Sequence, residues 1–171
     1  MTDRIVGKVF HCGDYVNTDV MSPGRFEPYE STEQLARIAL IDYEGKEPFV
    51  NPEKGVSDFS VIVAGREFGC GSSRETAPQA ISYAGVKAVI ARSFARIFFR
   101  NCVNMGLVLP IQVNHDFDEG VHGKAASIDP DRRTLTIDGK TFTFPDFGPL
   151  ARIVDAGGLT NYNKQKQKVR A

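Results

Sequence analysis

VIVAGREFGCGSSR, residues 61–74, opens with four apolar residues and closes on glycines, two hydroxyls and a guanidinium. The run Val61–Ala64 is rich in β-branched side chains and reads as a buried strand. It breaks at Gly65. A second glycine-bearing turn, Gly69-Cys70-Gly71, then delivers Ser72, Ser73 and Arg74 to the start of a helix. A strand ending this way makes an anion cradle: its free amides favour a carboxylate or phosphate, and an arginine binds either through two parallel hydrogen bonds. The spacing matches neither G-x-x-x-x-G-K-[ST] nor G-x-G-x-x-G. An ordinary strand–turn–helix junction with a serine cap is the alternative reading.

Outward from this stretch, the chain alternates between strand and helix. Phe59–Ala64 is a strand, and residues 74–84 form a helix that tolerates the early Pro78 and stops at Gly85. Val86–Ala91 is a second strand, Ser93 caps a second helix over residues 94–105, and Leu107–Gln112 is a third strand. Crossovers this short imply right-handed parallel units, whose ligands gather at the carboxyl ends of the strands. Arg66–Arg74 begins at one such end and Arg92-Ser93 falls at another. The four-residue spacing of Arg92, Arg96 and Arg100 predicts a shared helix face.

Before this region, residues 4–10 read as a first strand. His11–Pro23 is polar and turn-rich. Within it Thr18, Asp19 and Ser22 gather two hydroxyls and a carboxylate just ahead of the Pro23-Gly24 turn. They are candidate site residues, or only a turn in which Asn and Asp bond their own backbone. Thr32 caps a short helix carrying Leu35, Ile38 and Ala39 on one face. Residues 24–58 as a whole offer little core material and read as a mobile loop region. After residue 112, short strands at 126–129, 134–137 and 141–144 are separated by Pro130-Asp131 and Asp138-Gly139, a hairpin signal. Residues 161–171, NYNKQKQKVRA, read as a basic, frayed tail. The fold class is thus α/β: one domain over residues 1–160, with parallel strand–helix units and a small antiparallel section.

Composition narrows the function. The chain has 171 residues, 42% apolar and 25% charged, which fits one soluble domain. No apolar run is long enough for a membrane span, and MTDRIVGKVF lacks a signal-peptide layout, so a cytoplasmic location is expected. The formal charge is zero but uneven: residues 1–59 carry 6 basic and 11 acidic side chains, residues 60–110 carry 6 and 2. The positive middle third fits an anionic ligand, and the balanced total argues against a nucleic-acid partner. The three cysteines, Cys12, Cys70 and Cys102, never form C-x-x-C, and the three histidines lack metal-ligand spacing. No metal or cofactor is expected on this chain. Ser72 and Ser73 beside Arg74 supply a hydroxyl whose alkoxide the cation and turn amides would stabilise, with Asp19 as an orienting carboxylate. No histidine stands near to build a Ser-His-Asp system, and G-x-S-x-G is absent. These residues make half of an active site.

Four segments carry a resemblance: NTDVMSPG (17–24), REFGCGSSRETAPQAI (66–81), AVIARSFARIFFRNCVNMGL (88–107) and DAGGLTNY (155–162). Together they resemble the small subunits of the 3-isopropylmalate dehydratase family, in the aconitase superfamily. The resemblance implies a β/β/α swivelling domain that closes over a large subunit. That large subunit would hold a four-iron–four-sulfur cluster on three cysteines. The reaction implied is removal of water from a 2-hydroxy di- or tricarboxylic acid and its return to the neighbouring carbon, in leucine biosynthesis. By the same resemblance Ser72 is the catalytic base and Arg74 the carboxylate clamp. Ser73 and the amides around Gly71 support the base and hold the same carboxylate. Thr18 and Asp19 form the family's Thr-Asp pair, with Asp19 orienting proton-handling groups of the large subunit, and Ser22 has a lesser site role.

The loop after Pro23-Gly24, with Arg25 and Phe26, is where such subunits meet the substrate's variable arm. 3-Isopropylmalate enzymes often carry Tyr-Leu-Arg-Thr there, whereas this chain has Phe26-Glu27-Pro28-Tyr29. No arginine fills the third place, and an inward Glu27 would repel a third carboxylate. 3-Isopropylmalate is the leading substrate, with citramalate, 2,3-dimethylmalate and homocitrate or homoaconitate as alternatives. A carboxylate-binding module without catalysis is the reading from another class. A homo-oligomer is a possible state of the isolated chain.

Overall fold

The structure, a computed structural model, describes residues 4–29 and 31–170. The chain begins with β1 (Ile5–His11), α1 (Thr18–Met21), α2 (Thr32–Arg37) and the small hairpin of β2 (Val50–Asn51) and β3 (Val56–Ser57). It continues with β4 (Val61–Ala64), α3 (Thr76–Tyr83), β5 (Ala88–Ala91), α4 (Arg96–Met105) and β6 (Leu109–Gln112). β7 (Ala125–Asp129), β8 (Thr134–Ile137), β9 (Lys140–Thr143), α5 (Ala151–Asp155) and α6 (Leu159–Arg170) complete it.

Seven strands form one sheet in the order β6-β5-β4-β1-β7-β8-β9. β4, β5 and β6 run parallel, as their helical crossovers require, and β7, β8 and β9 form an antiparallel meander turning at Asp138-Gly139. β1 joins the two halves. Its first residues pair antiparallel with β7 (Ile5↔Ile128 to Lys8↔Ala125), and its last pair parallel with β4 (Val9↔Val61 to His11↔Val63). The α/β class with an antiparallel section is therefore as the sequence indicates.

The parallel strands are buried on both faces, which explains their unbroken apolar runs. In VIVA, Ile62 and Ala64 enter the core beneath the helices, while Val61 and Val63 enter the opposite core with Val9, Ile90, Ile128 and Leu135. Each such side chain removed from water contributes roughly 1.5–3 kcal/mol. Phe10 centres the helix-side core, meeting the rings of Phe49 and Phe59 edge-on at 5.0 and 5.1 Å.

Four local expectations need correction. Residues 24–58 are not poor in core material: Leu35, Ala36, Ile38, Ala39, Leu40 and Phe49 are buried, because α2 docks on α3 and the following segment wraps over Phe10. Ser31, not Thr32, caps α2, its hydroxyl accepting from the Gln34 amide at 3.1 Å. Ser93 does not cap α4, which starts at Arg96, so Arg92 stands at the end of β5 and leaves the shared face to Arg96 and Arg100. The expected frayed tail is helical through Arg170. Its Lys- and Gln-rich sequence has good helix propensity, and α6 lies against α4 and α5. Ala171 is outside the described residues.

Candidate active site

Two loops meet beyond the carboxyl ends of the neighbouring parallel strands β1 and β4. They continue the ladder that the strands begin. The Gly65 amide donates to Gly13 O (3.2 Å), Tyr15 to Arg66 O (2.7 Å), Gly69 to Val16 O (2.8 Å) and Thr18 to Cys70 O (2.8 Å). The Ser93 hydroxyl accepts from the Glu67 amide and donates to its carboxylate, both at 2.9 Å, tying the end of β5 to the same loop. The turn carrying Ser72 is thus held by both neighbouring strands.

Within it Gly71 has φ +95°, a left-handed conformation that a side chain rarely adopts, and a Cβ there would overlap the Asn17 amide group. Asn17 caps α1 by accepting from the Asp19 amide at 2.8 Å. That cap sets Asp19 in the first turn, its side chain half exposed. Thr18, next to it, is buried, and its hydroxyl donates to Ser72 O at 2.9 Å. Ser72 and Ser73 are exposed.

Arg74 lies between the loops, about a quarter exposed. Its Nε stands 2.8 Å from Asp19 Oδ1, although the N–H is not aimed at that oxygen, and its Nη1 donates to Glu27 Oε1 at 2.6 Å. A Cβ at Gly24 would stand 3.0 Å from Nη2, so glycine there leaves room for the guanidinium. The structure therefore brings Asp19, Gly71, Ser72, Ser73 and Arg74 together where the two loops meet. Thr18 reaches this group only through the Ser72 backbone.

The other expected site residues lie elsewhere. Ser22 is buried, its hydroxyl 3.0 Å from that of Thr76, and so joins the end of α1 to the start of α3. Arg25 grips Asp42 with both terminal nitrogens at 2.5 and 2.7 Å, which holds that carboxyl below its usual range, and covers the Phe26 ring at 4.6 Å. Phe26 itself packs against the helix-side core. Asn17 and Thr76 support the site from outside its expected residues. An Asn one residue before Thr-Asp was the available signal for the first, while nothing local marked the second.

Two sizeable concavities lie away from these residues: one of about 620 Å3 is lined by Arg37, Tyr43, Glu47 and Phe49, and one of about 470 Å3 by Arg4, Lys87, Cys102 and Leu109 at the opposite ends of β5 and β6. Among the described residues, no group of three or more His, Cys, Asp or Glu is placed to hold a metal ion. Cys12 and Cys102 are buried apart from each other, and desolvation pushes the Cys12 thiol up to about 12. These thiols do not suit cluster ligation.

Residues 44–116, which span β4 to β6 and the Ser72 turn, match the aconitase C-terminal domain. Over 98% of its length the chain is 41% identical to a methanogen homoaconitase small subunit from Methanocaldococcus jannaschii, covering 95% of it. It is 37% identical to the 3-isopropylmalate dehydratase small subunit of Thermodesulfovibrio yellowstonii, with 95% of each covered. The chain belongs to this family of small subunits. A crystal structure of 3-isopropylmalate dehydratase from M. jannaschii superposes with a TM-score of 0.83 at 40% identity, covering 98% of both chains. This small subunit thus has the swivelling-domain fold of the aconitase superfamily and is part of a heteromeric hydro-lyase. Relatives of both names lie at similar identity, so overall likeness does not choose between their substrates.

Proposed function

We propose that this small subunit, in the cytoplasm, supplies half of the active site of a hydro-lyase that interconverts 2- and 3-isopropylmalate. The half-site carries the proton-abstracting and carboxylate-binding groups. The observation behind this is the convergence of Asp19, Ser72 and Arg74 where the two loops meet, which sets a guanidinium beside an exposed hydroxyl and a carboxylate.

In this reading Arg74 binds a substrate carboxylate, with the amides of the Gly71–Ser73 turn as further donors. That contact sets the acidic C–H against Ser72, whose Oγ, as an alkoxide steadied by the guanidinium and turn amides, takes the proton. Ser73 supports the same anion. Asp19 orients proton-handling groups facing it from the partner. A four-iron–four-sulfur cluster on a large subunit would supply the Lewis acidity for the departing hydroxyl. Everything derived from this chain concerns binding, orientation and the proton.

Co-expression with a cluster-bearing large subunit, followed by assay against 3-isopropylmalate, citramalate, 2,3-dimethylmalate and homocitrate, tests the proposal. Activity should appear only in the mixture. Turnover by the isolated chain at normal enzyme rates would refute it, as would a mixture inert toward every acid. A chain that bound carboxylates in the micromolar range without any turnover would instead be a binding module.

A further inference from the structure

DAGGLTNY, residues 155–162, and NCVNMG, residues 101–106, have no part in the catalytic half-site, yet they meet closely. A Cβ at Gly158 would stand 2.8 Å from Asn104 O and 2.9 Å from Met105 O, and one at Gly106 would overlap Gly157. Glycine at these positions lets the start of α6 abut the end of α4. Beside the contact lies a hollow of about 350 Å3 that Glu75, the residue after Arg74, also lines. That volume suits a small molecule.

The hollow offers both donors and acceptors. Gly158, which precedes α6, accepts from the Tyr162 amide at 3.0 Å and has no side chain to cap the helix. The amides of Leu159, Thr160 and Asn161, the first three of α6, therefore find no acceptor among the described residues. Asn101 stands unsatisfied in the same place. It is only 9% exposed and lines the hollow, and its side-chain amide has no partner among the described residues. A buried amide without a partner is uncommon, and a bound polar group would complete it. The remaining groups are negative: the Glu75 carboxylate, exposed and in no ion pair among the described residues, and the carbonyl end of α4 at Asn104 and Met105.

A bare anion would suit the α6 amides but not Glu75 or the end of α4. A bare cation has the reverse fault. A molecule with both charges on neighbouring groups suits all of them. We propose that this hollow binds a small α-amino acid, its carboxylate on the α6 amides and Asn101, its ammonium on Glu75. Met105 and Leu159 give apolar lining for a short side chain. The site is separate from the hydro-lyase role and does not rest on it.

The full chain, isotope-labelled, is titrated with L-alanine, propionate and ethylamine, following the backbone amides of residues 158–161 and the Asn101 side chain by NMR. L-Alanine should shift these signals with a Kd of about 1 mM or tighter, and propionate and ethylamine, each lacking one charge, should bind at least about tenfold more weakly. In Glu75→Gln the preference for alanine over propionate should fall at least about fivefold, because the ammonium loses its carboxylate. Asn101→Leu, which keeps the volume without the amide, should weaken alanine binding at least about tenfold. If Asn101→Leu fails to fold, Glu75→Gln decides alone, since its side chain is exposed. Propionate binding as tightly as alanine would make this an anion site and overturn the proposal. So would an absence of shifts, or a preference for alanine that Glu75→Gln leaves unchanged.

Discussion

Thr18→Val separates two roles for the threonine of the Thr-Asp pair. If Thr18 touched substrate, its loss would raise KM. Its hydroxyl instead points inward to Ser72 O at 2.9 Å, from a buried position. The Ser72 carbonyl also accepts from the Arg74 amide at 2.9 Å, so removing the hydroxyl leaves it with one donor. The cost is then that of one net hydrogen bond, about 1 kcal/mol, and not the larger penalty of an orphaned carbonyl. For a domain of this size that lowers Tm by about 2–4 °C, readable by calorimetry on the isolated chain. The catalytic effect should be larger, because the bond sets the height of the turn that carries Ser72. A displacement of about 1 Å at a reacting group costs up to a hundredfold. In the assembled enzyme kcat should fall about 10- to 100-fold with KM changed less than about threefold, and Thr18→Ser should restore most of it. A raised KM with kcat intact would place Thr18 against substrate and refute the positioning role.

Ser72→Ala should leave assembly with the large subunit intact, checked by co-purification, and cut turnover at least about a hundredfold, since it removes the proton acceptor of the proposed mechanism. Gly71→Ala forces a side chain into a left-handed turn against the Asn17 amide. It should cost about 1–2 kcal/mol from backbone strain alone, measured by urea denaturation, and lower activity more than Thr18→Val does. Burial raises the Cys12 thiol, so the folded state keeps its proton at pH values where the unfolded chain has lost it. The Cys12 contribution to stability therefore falls as pH rises from the ordinary thiol range toward about 12, by up to about 1.4 kcal/mol per pH unit. Urea midpoints measured from pH 7 to 10 should decline less steeply for Cys12→Ala than for wild type, and parallel slopes would refute the assignment.

Periods and punctuation are local, and what they encode was legible along the chain. VIVA and AVIA announce strands buried on both faces, and Asp138-Gly139 a hairpin. Gly69-Cys70-Gly71 before two serines and an arginine marks a tight glycine turn, because a left-handed residue is a property of a few neighbouring residues. Caps and helix ends were less legible. Ser31 rather than Thr32 holds α2, since either hydroxyl satisfies the local pattern and docking on α3 decides between them.

The partners of each site residue were decided by tertiary structure alone. β1 pairs with β4 on one side and β7 on the other, and that placement brings loop 12–24 against loop 65–76. Only then does the Thr18 hydroxyl meet Ser72, and only then does Ser22 turn under Thr76. Glu27 reaches Arg74 across 47 residues of sequence for the same reason. Sequence by itself determined that the guanidinium and the hydroxyls share one turn, because spacing within that turn defines them. Which carboxylates stand on Arg74 depended on strand order, a long-range property that no local spacing carries.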